Sequence, residues 1–256
     1  MAKDTRPCAF CFSRANITGE HLWSDWAARL FPPRIYQFTR KTRDGAIIQW
    51  DKGAINEKSK VVCGTCNSGW MSELENKTKQ IASAMVKDGT ATTLDDIDVA
   101  TIAAFGFLKS VIADHMQERE LFYSVAQRHT FRRTLLIPEG VQMWLARTPI
   151  WRGIFKSTTV SLPLGAPDRF EFNTFTYGIG HFVIQVVGAR WKKKAFRRHA
   201  DPPKLNQASE WDPVSIPVWP VCANPVQWPP STDLNRQIED EFIKRWGNLK
   251  WGRVRP

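Results

Sequence analysis

"CGTCNSGWMSELE", residues 63–75, runs a cysteine pair with a two-residue spacer straight into a segment that reads as the start of a helix. The same spacing occurs upstream in "CAFC", residues 8–11. Four of the five cysteines, Cys8, Cys11, Cys63 and Cys66, form these two pairs, and Cys222 stands apart. A two-residue spacer lets both thiolates of a knuckle point at one ion. Two knuckles complete a tetrahedral four-sulfur site, the usual closed and structural zinc arrangement. In a reducing compartment such pairs are metal ligands rather than disulfides. Cys222, in "VWPVCANP" (218–225), reads as a small buried hydrophobe.

Working outward, "NITGEHLW" (16–23) reads as a short extended segment ending near His21. "WSDWAARLF" (23–31) follows as a short helix stopped by Pro32 and Pro33. "GAIIQW" (45–50) and "SKVVC" (59–63) have the look of short strands. Past the second knuckle, residues 67–89 predict a helix with Asn67 or Ser68 as cap, an apolar stripe of Trp70, Leu74, Ile81 and Met85, and Gly89 as its end. Trp70 and Met71 are expected to pack against the cysteine lobe, and Glu73 and Glu75 to face water.

The remainder reads as a separate unit. "DDIDVATIAAFGFLKSVIADHM" (95–116) has an apolar helix pattern after an acidic start. "RTLLIP" (133–138), "VQMWLAR" (141–147) and "FEFNTFTYGIGHFVIQVVGARW" (170–191) read as antiparallel strands. The proline-rich tract 212–230 suggests an extended wrapping segment, and residues 231–247 a closing helix capped by Ser231 or Thr232. The expected class is α+β: a small zinc-bound lobe over 1–90, then a larger unit of helices and antiparallel sheet over 91–256. With 256 residues, 43% of them apolar, 12 Trp and 15 Phe, the chain can bury a sizeable core.

The net charge of +11 produces a field that attracts polyanions, of which nucleic acid is the commonest inside cells. In "RWKKKAFRRH" (190–199) cations interleave with aromatic rings, so Lys192, Lys193, Lys194, Arg197 and Arg198 are candidate phosphate contacts. A solvated strand end explains the same run equally well. Arg14, Arg40, Lys41 and Arg43 would extend a basic path toward the cysteine lobe. No stretch of about 18 uninterrupted apolar residues and no apolar leader are visible, which places the expected location in the cytoplasm and away from membranes.

Taken in order, "CAFC…GEHLW…CGTCNSGW" resembles the HNH nucleases, built on the ββα-metal (His-Me) finger, and specifically their zinc-stapled type. The resemblance covers roughly residues 8 to 80. It implies that His21 is the general base and that Glu20 and Asn67 hold a catalytic Mg2+ or Mn2+, with double-stranded DNA as substrate. At the usual place of the middle asparagine stands Lys58, with Asn56 two residues earlier. The chemistry agrees with the residue types. Phosphodiester hydrolysis needs a base for an in-line water and a cation for the charge on phosphate and leaving oxygen. Histidine titrates near neutrality, and a carboxylate with an amide oxygen suits a hard divalent ion. Neighbouring strand residues point to opposite faces, so Glu20 and His21 need a bend to serve one phosphate. Alternatively His21 is a core histidine beside Trp23 and Trp26, Asn67 only a helix cap, and the lobe a treble-clef-like module in a non-catalytic nucleic-acid-binding or regulatory protein. His115, His129, His181 and His199 show no partner spacing.

Overall fold

The computed structural model describes residues 7–32, 34–41, 46–117, 120–163, 169–191, 205–220 and 225–246. Strand β1 (Ile17–His21) pairs antiparallel with β4 (Lys58–Cys63), Ile17 opposite Cys63 and His21 opposite Lys58. The chain between them forms α1 (Asp25–Ala28) and a hairpin of β2 (Tyr36–Lys41) and β3 (Ile47–Lys52). The Phe38 and Trp50 rings of that hairpin stack at 5.6 Å. Strand β4 leads into α2 (Gly64–Cys66), a π-helical turn (Asn67–Met71) and α3 (Ser72–Asp88).

Two sequence expectations for this stretch need correction. The helical path begins at Gly64 with Cys63 at the N-cap position, because the second knuckle is itself a helical turn, so Asn67 and Ser68 lie inside it. The Ser68 hydroxyl donates to the Gly64 carbonyl (2.8 Å) instead of capping. Glu75 does not simply face water: its side chain is 21% exposed and turns one carboxylate oxygen inward, to partners described below. Gly89, at φ 64°, ends α3 in the left-handed conformation as expected.

Strand β5 (Thr92–Leu94) precedes α4 (Asp96–His115), whose start is fixed by a capping box between Asp95 and Asp98. From Ile102 to His115 every residue of α4 is buried, so this helix forms the centre of the molecule. Helix α5 (Val125–Thr134) follows. "RTLLIP" is therefore not a strand: Arg133 and Thr134 finish α5, and Leu135 closes it at φ 56°. Strands β6 (Val141–Pro163) and β7 (Arg169–Trp191) make a long antiparallel hairpin with a register break between Arg147 and Arg152. Strand β8 (Ile216–Trp219) pairs with β6, and β9 (Val226–Trp228) with β5. Helix α6 (Arg236–Lys244) is capped by Asn235. The Ser231 hydroxyl and the Thr232 backbone N–H instead both donate to the Pro213 carbonyl (3.1 and 2.8 Å). The α+β class stands, and the main apolar core runs from Cys8 through α3, α4 and β7 to Trp228. No helix among the described residues is long and apolar enough to cross a membrane.

Candidate metal centre and histidine site

The four thiols meet. Cys8, Cys11, Cys63 and Cys66 offer sulfurs that all lie within 4.8 Å of one another, and Cys11 and Cys63 approach to 3.4 Å. The geometry follows from backbone pairing. The Ala9 N–H donates to the Val61 carbonyl (2.8 Å), which clips the first knuckle to β4 beside the second. Phe10 packs edge-on against Trp70 (5.1 Å), and Arg128 of α5 donates to the Ala9 carbonyl. Burial raises the Cys8 thiol, but the backbone N–H groups of Cys11, Phe10 and Cys63 outweigh it and lower its pKa. Burial pushes the Cys66 thiol up to about 12. A cation held among the four sulfurs would supply the positive charge that deprotonation there requires. The group can hold a metal ion, and four sulfurs suit zinc.

At the far end of β1 the chain builds a second cluster. Glu20 is 4% exposed and Lys109, from the centre of α4, is fully buried. The Lys109 ammonium donates to Glu20 Oε1 (2.7 Å), lies 2.8 Å from Glu75 Oε1, and donates to the His21 carbonyl (2.9 Å). The Ser24 hydroxyl also donates to Glu75 (2.7 Å). Burial opposes the Lys109 charge, but the two carboxylates outweigh it and hold the ammonium above its ordinary pKa. Burial likewise opposes the Glu75 charge, and Lys109 overcomes it to lower that carboxyl. The second Glu20 oxygen, Oε2, has no partner among the described residues.

His21 is half-buried on the other side of the strand. Burial first, then the Lys58 charge, lowers its pKa, against the pull of Asp25 and Glu20. Its imidazole has no hydrogen-bond partner among the described residues. Asn56 is exposed, and Lys58 meets His21 as its cross-strand pair. The chain after His21 is well anchored: Leu22 N–H donates to the Glu57 carbonyl (2.9 Å) and the Trp23 indole to the Gly178 carbonyl of β7 (3.0 Å). Asn67 joins β1 further back, its amide donating to Thr18 Oγ1 (3.2 Å), while that hydroxyl donates to the Val62 carbonyl (3.4 Å). This relay turns Asn67 Oδ1 away from Thr18 and leaves it unpartnered among the described residues. Glu20 and His21 thus share a cluster with Lys109, Glu75 and Ser24, and Asn67 attaches to the same strand two residues before Glu20.

Sequence reading missed Lys109, Ser24 and Thr18. For Lys109 a signal existed: it is the only charged residue between Val99 and Ala113, and a lysine inside an apolar helix needs a buried partner. His115 is bonded to Val111 and Arg128, and His181 to Thr148, both as packing contacts. His129 lies 6.1 Å from the Phe12 ring. Arg14 is exposed, and Arg40 and Lys41 belong to β2. Lys192, Lys193, Lys194, Arg197, Arg198, Arg43, His199 and Cys222 lie outside the described residues. Comparison of the chain with family models, curated proteins and solved structures finds no match.

Proposed function

We propose that this chain is a metal-dependent endonuclease of the HNH type that hydrolyses DNA, with the four cysteines around a structural Zn2+. The reading rests on one observation: the antiparallel pair β1–β4 carries Glu20–His21 at the end of its first strand and runs, through the second knuckle, into the helix that bears Asn67. Strand, strand and helix on a four-thiol staple is the arrangement a ββα-metal finger requires.

The donor set also suits the divalent ion. Glu20 Oε2 and Asn67 Oδ1 are hard oxygens left without protein partners among the described residues, and Lys109 and Thr18 orient their other atoms. Bound there, Mg2+ or Mn2+ stabilises the charge that builds on the phosphate and on the departing oxygen. His21, held neutral by burial, takes the proton of the attacking water on a free ring nitrogen. The net charge of +11 favours a polyanionic substrate, and double-stranded DNA is the one proposed. Reduced thiols of this kind persist in the cytoplasm, where we place the protein. The test is plasmid nicking with Mg2+ or Mn2+: wild type cleaves and His21→Ala loses at least about a hundredfold in rate, the scale of a general base. Equal cleavage by both proteins removes the proposal.

A second reading, a zinc-bearing nucleic-acid-binding or regulatory protein without catalysis, draws on the His21 ring, which no described side chain orients. DNA binding without nicking at any Mg2+ or Mn2+ concentration selects it.

A further inference from the structure

Among the described residues no side chain holds the His21 imidazole, yet the strand end carrying it is gripped by a charge. We propose that Lys109, supplied by α4 from outside the cysteine lobe, is the positioning residue of the nuclease site, fixing both Glu20 and the His21 backbone through one ammonium. This rests on the nuclease reading and adds to it that residues beyond 90 complete the site.

Three contacts converge on one atom. Lys109 Nζ reaches Glu20 Oε1 at 2.7 Å, Glu75 Oε1 at 2.8 Å and the His21 carbonyl at 2.9 Å. The ammonium donates hydrogen bonds to Glu20 and to the His21 carbonyl and is ion-paired with Glu75, so three groups from β1 and α3 hold Lys109 in place. Glu20 is thereby held by one oxygen with the other left over, and the His21 backbone is fixed at the last residue of β1. Ser24 closes the ring by binding Glu75 from the loop that follows His21. Lys109 itself, at 0% exposure, is closed off from solvent.

Stability alone is a poor reason for this triad. The buried ammonium and the buried Glu20 carboxylate, with Glu75 mostly buried beside them, cost desolvation that their attraction barely repays, and apolar residues of similar volume commonly serve a core as well or better. Between Val99 and Ala113 the helix is apolar apart from Thr101 and Ser110, and Lys109 is its one charged residue. What an apolar core cannot do is hold a carboxylate and a strand-end carbonyl in register. Side chains that orient metal-binding or reacting groups in this way are worth about ten- to a hundredfold in metal affinity or rate.

The experiment uses the full chain with zinc. Lys109→Met combined with Glu75→Gln removes one charge of each sign, and Lys109→Arg keeps the cation but moves its donors. Nicking kinetics give kcat and KM separately, titration calorimetry gives Mn2+ affinity in the His21→Ala background, and thermal melting reports folding. Both variants are expected to lose about tenfold or more in kcat with KM for DNA unchanged, and the double variant to bind Mn2+ about tenfold more weakly. If the double variant does not fold, Lys109→Arg decides by itself. Unchanged kcat and Mn2+ affinity in a folded variant overturn the positioning role while the nuclease stands. A wild type that never nicks DNA overturns the nuclease reading, and Lys109 as its positioning residue with it.

Discussion

His21 has two neighbours that matter in opposite ways, a wall of protein that burial provides and the Lys58 ammonium across the strand, and both disfavour its cation. Its pKa therefore lies below the ordinary value of 6.5. The unfolded chain takes up the proton first as the pH falls, so protonation favours unfolding: His21 costs stability as the pH drops through about 6.5, and the cost levels off below the folded pKa. On the proposed nuclease reading the ring acts as a base when neutral, so cleavage is expected to decline on the acid side with a midpoint below 6.5. A pH–rate profile whose acid limb is centred above 6.5 would contradict this. Asn67 supports a second expectation at this scale. Thr18→Val removes the acceptor of its amide (3.2 Å), so on the proposed nuclease reading cleavage should fall about tenfold while the melting temperature shifts little; unaltered cleavage in a cleaving wild type would show that the relay orients nothing that matters. That a strand ends at Glu20 and His21 was legible in the sequence. Lys109, 89 positions from Glu20, was not, since no local pattern names the partner of a buried charge.

Helices and strands were read well where a local rule governs them. Asp95 begins α4 with its side chain accepting from Ile97 and Asp98, and Gly89 ends α3, both as turn chemistry predicts. Helix α5 had the same kind of signal in Ser124 and Gln127, a capping box, but the apolar run Leu135–Ile137 beside it suggested a strand. The sequence reading placed the cap of α6 at Ser231 or Thr232, but the distant Pro213 carbonyl takes the Ser231 hydroxyl and the Thr232 backbone N–H, and Asn235 caps the helix. The most constrained backbone point is Gly180 in β7. At φ 58° it suits glycine, and a Cβ there would meet the Val86 carbonyl oxygen of α3 at 2.1 Å. Gly180→Ala should therefore separate β7 from α3 and cost about 3 kcal/mol or more, combining a left-handed penalty with a backbone clash. Chemical denaturation checks it, and a loss below about 1 kcal/mol would mean that the hairpin bends elsewhere.

At the scale of the whole molecule, the cysteine lobe and the β6–β7 hairpin are packed as one body. Trp23 bonds Gly178, Arg128 bonds Ala9 in the first knuckle, and a single apolar core includes Cys8, Phe107 and Trp228. Metal removal should accordingly be felt throughout. We expect about one equivalent of Zn2+ in chelator-washed protein, and Cys63→Ser to lower the temperature of one cooperative transition rather than melt a lobe alone. Two separate transitions in calorimetry would argue that residues 1–90 and 91–256 are independent units. By itself the sequence determined the α+β class, the four-cysteine group and the strand that ends in Glu20–His21, because ligand spacing, capping residues and hydrophobic period act over a few residues and are written locally. Only the tertiary structure decided that Glu75 turns inward and that Lys109 binds Glu20, Glu75 and the His21 carbonyl, because a buried charge is paired by whichever element the packing of α4 against β1 and α3 brings within 3 Å.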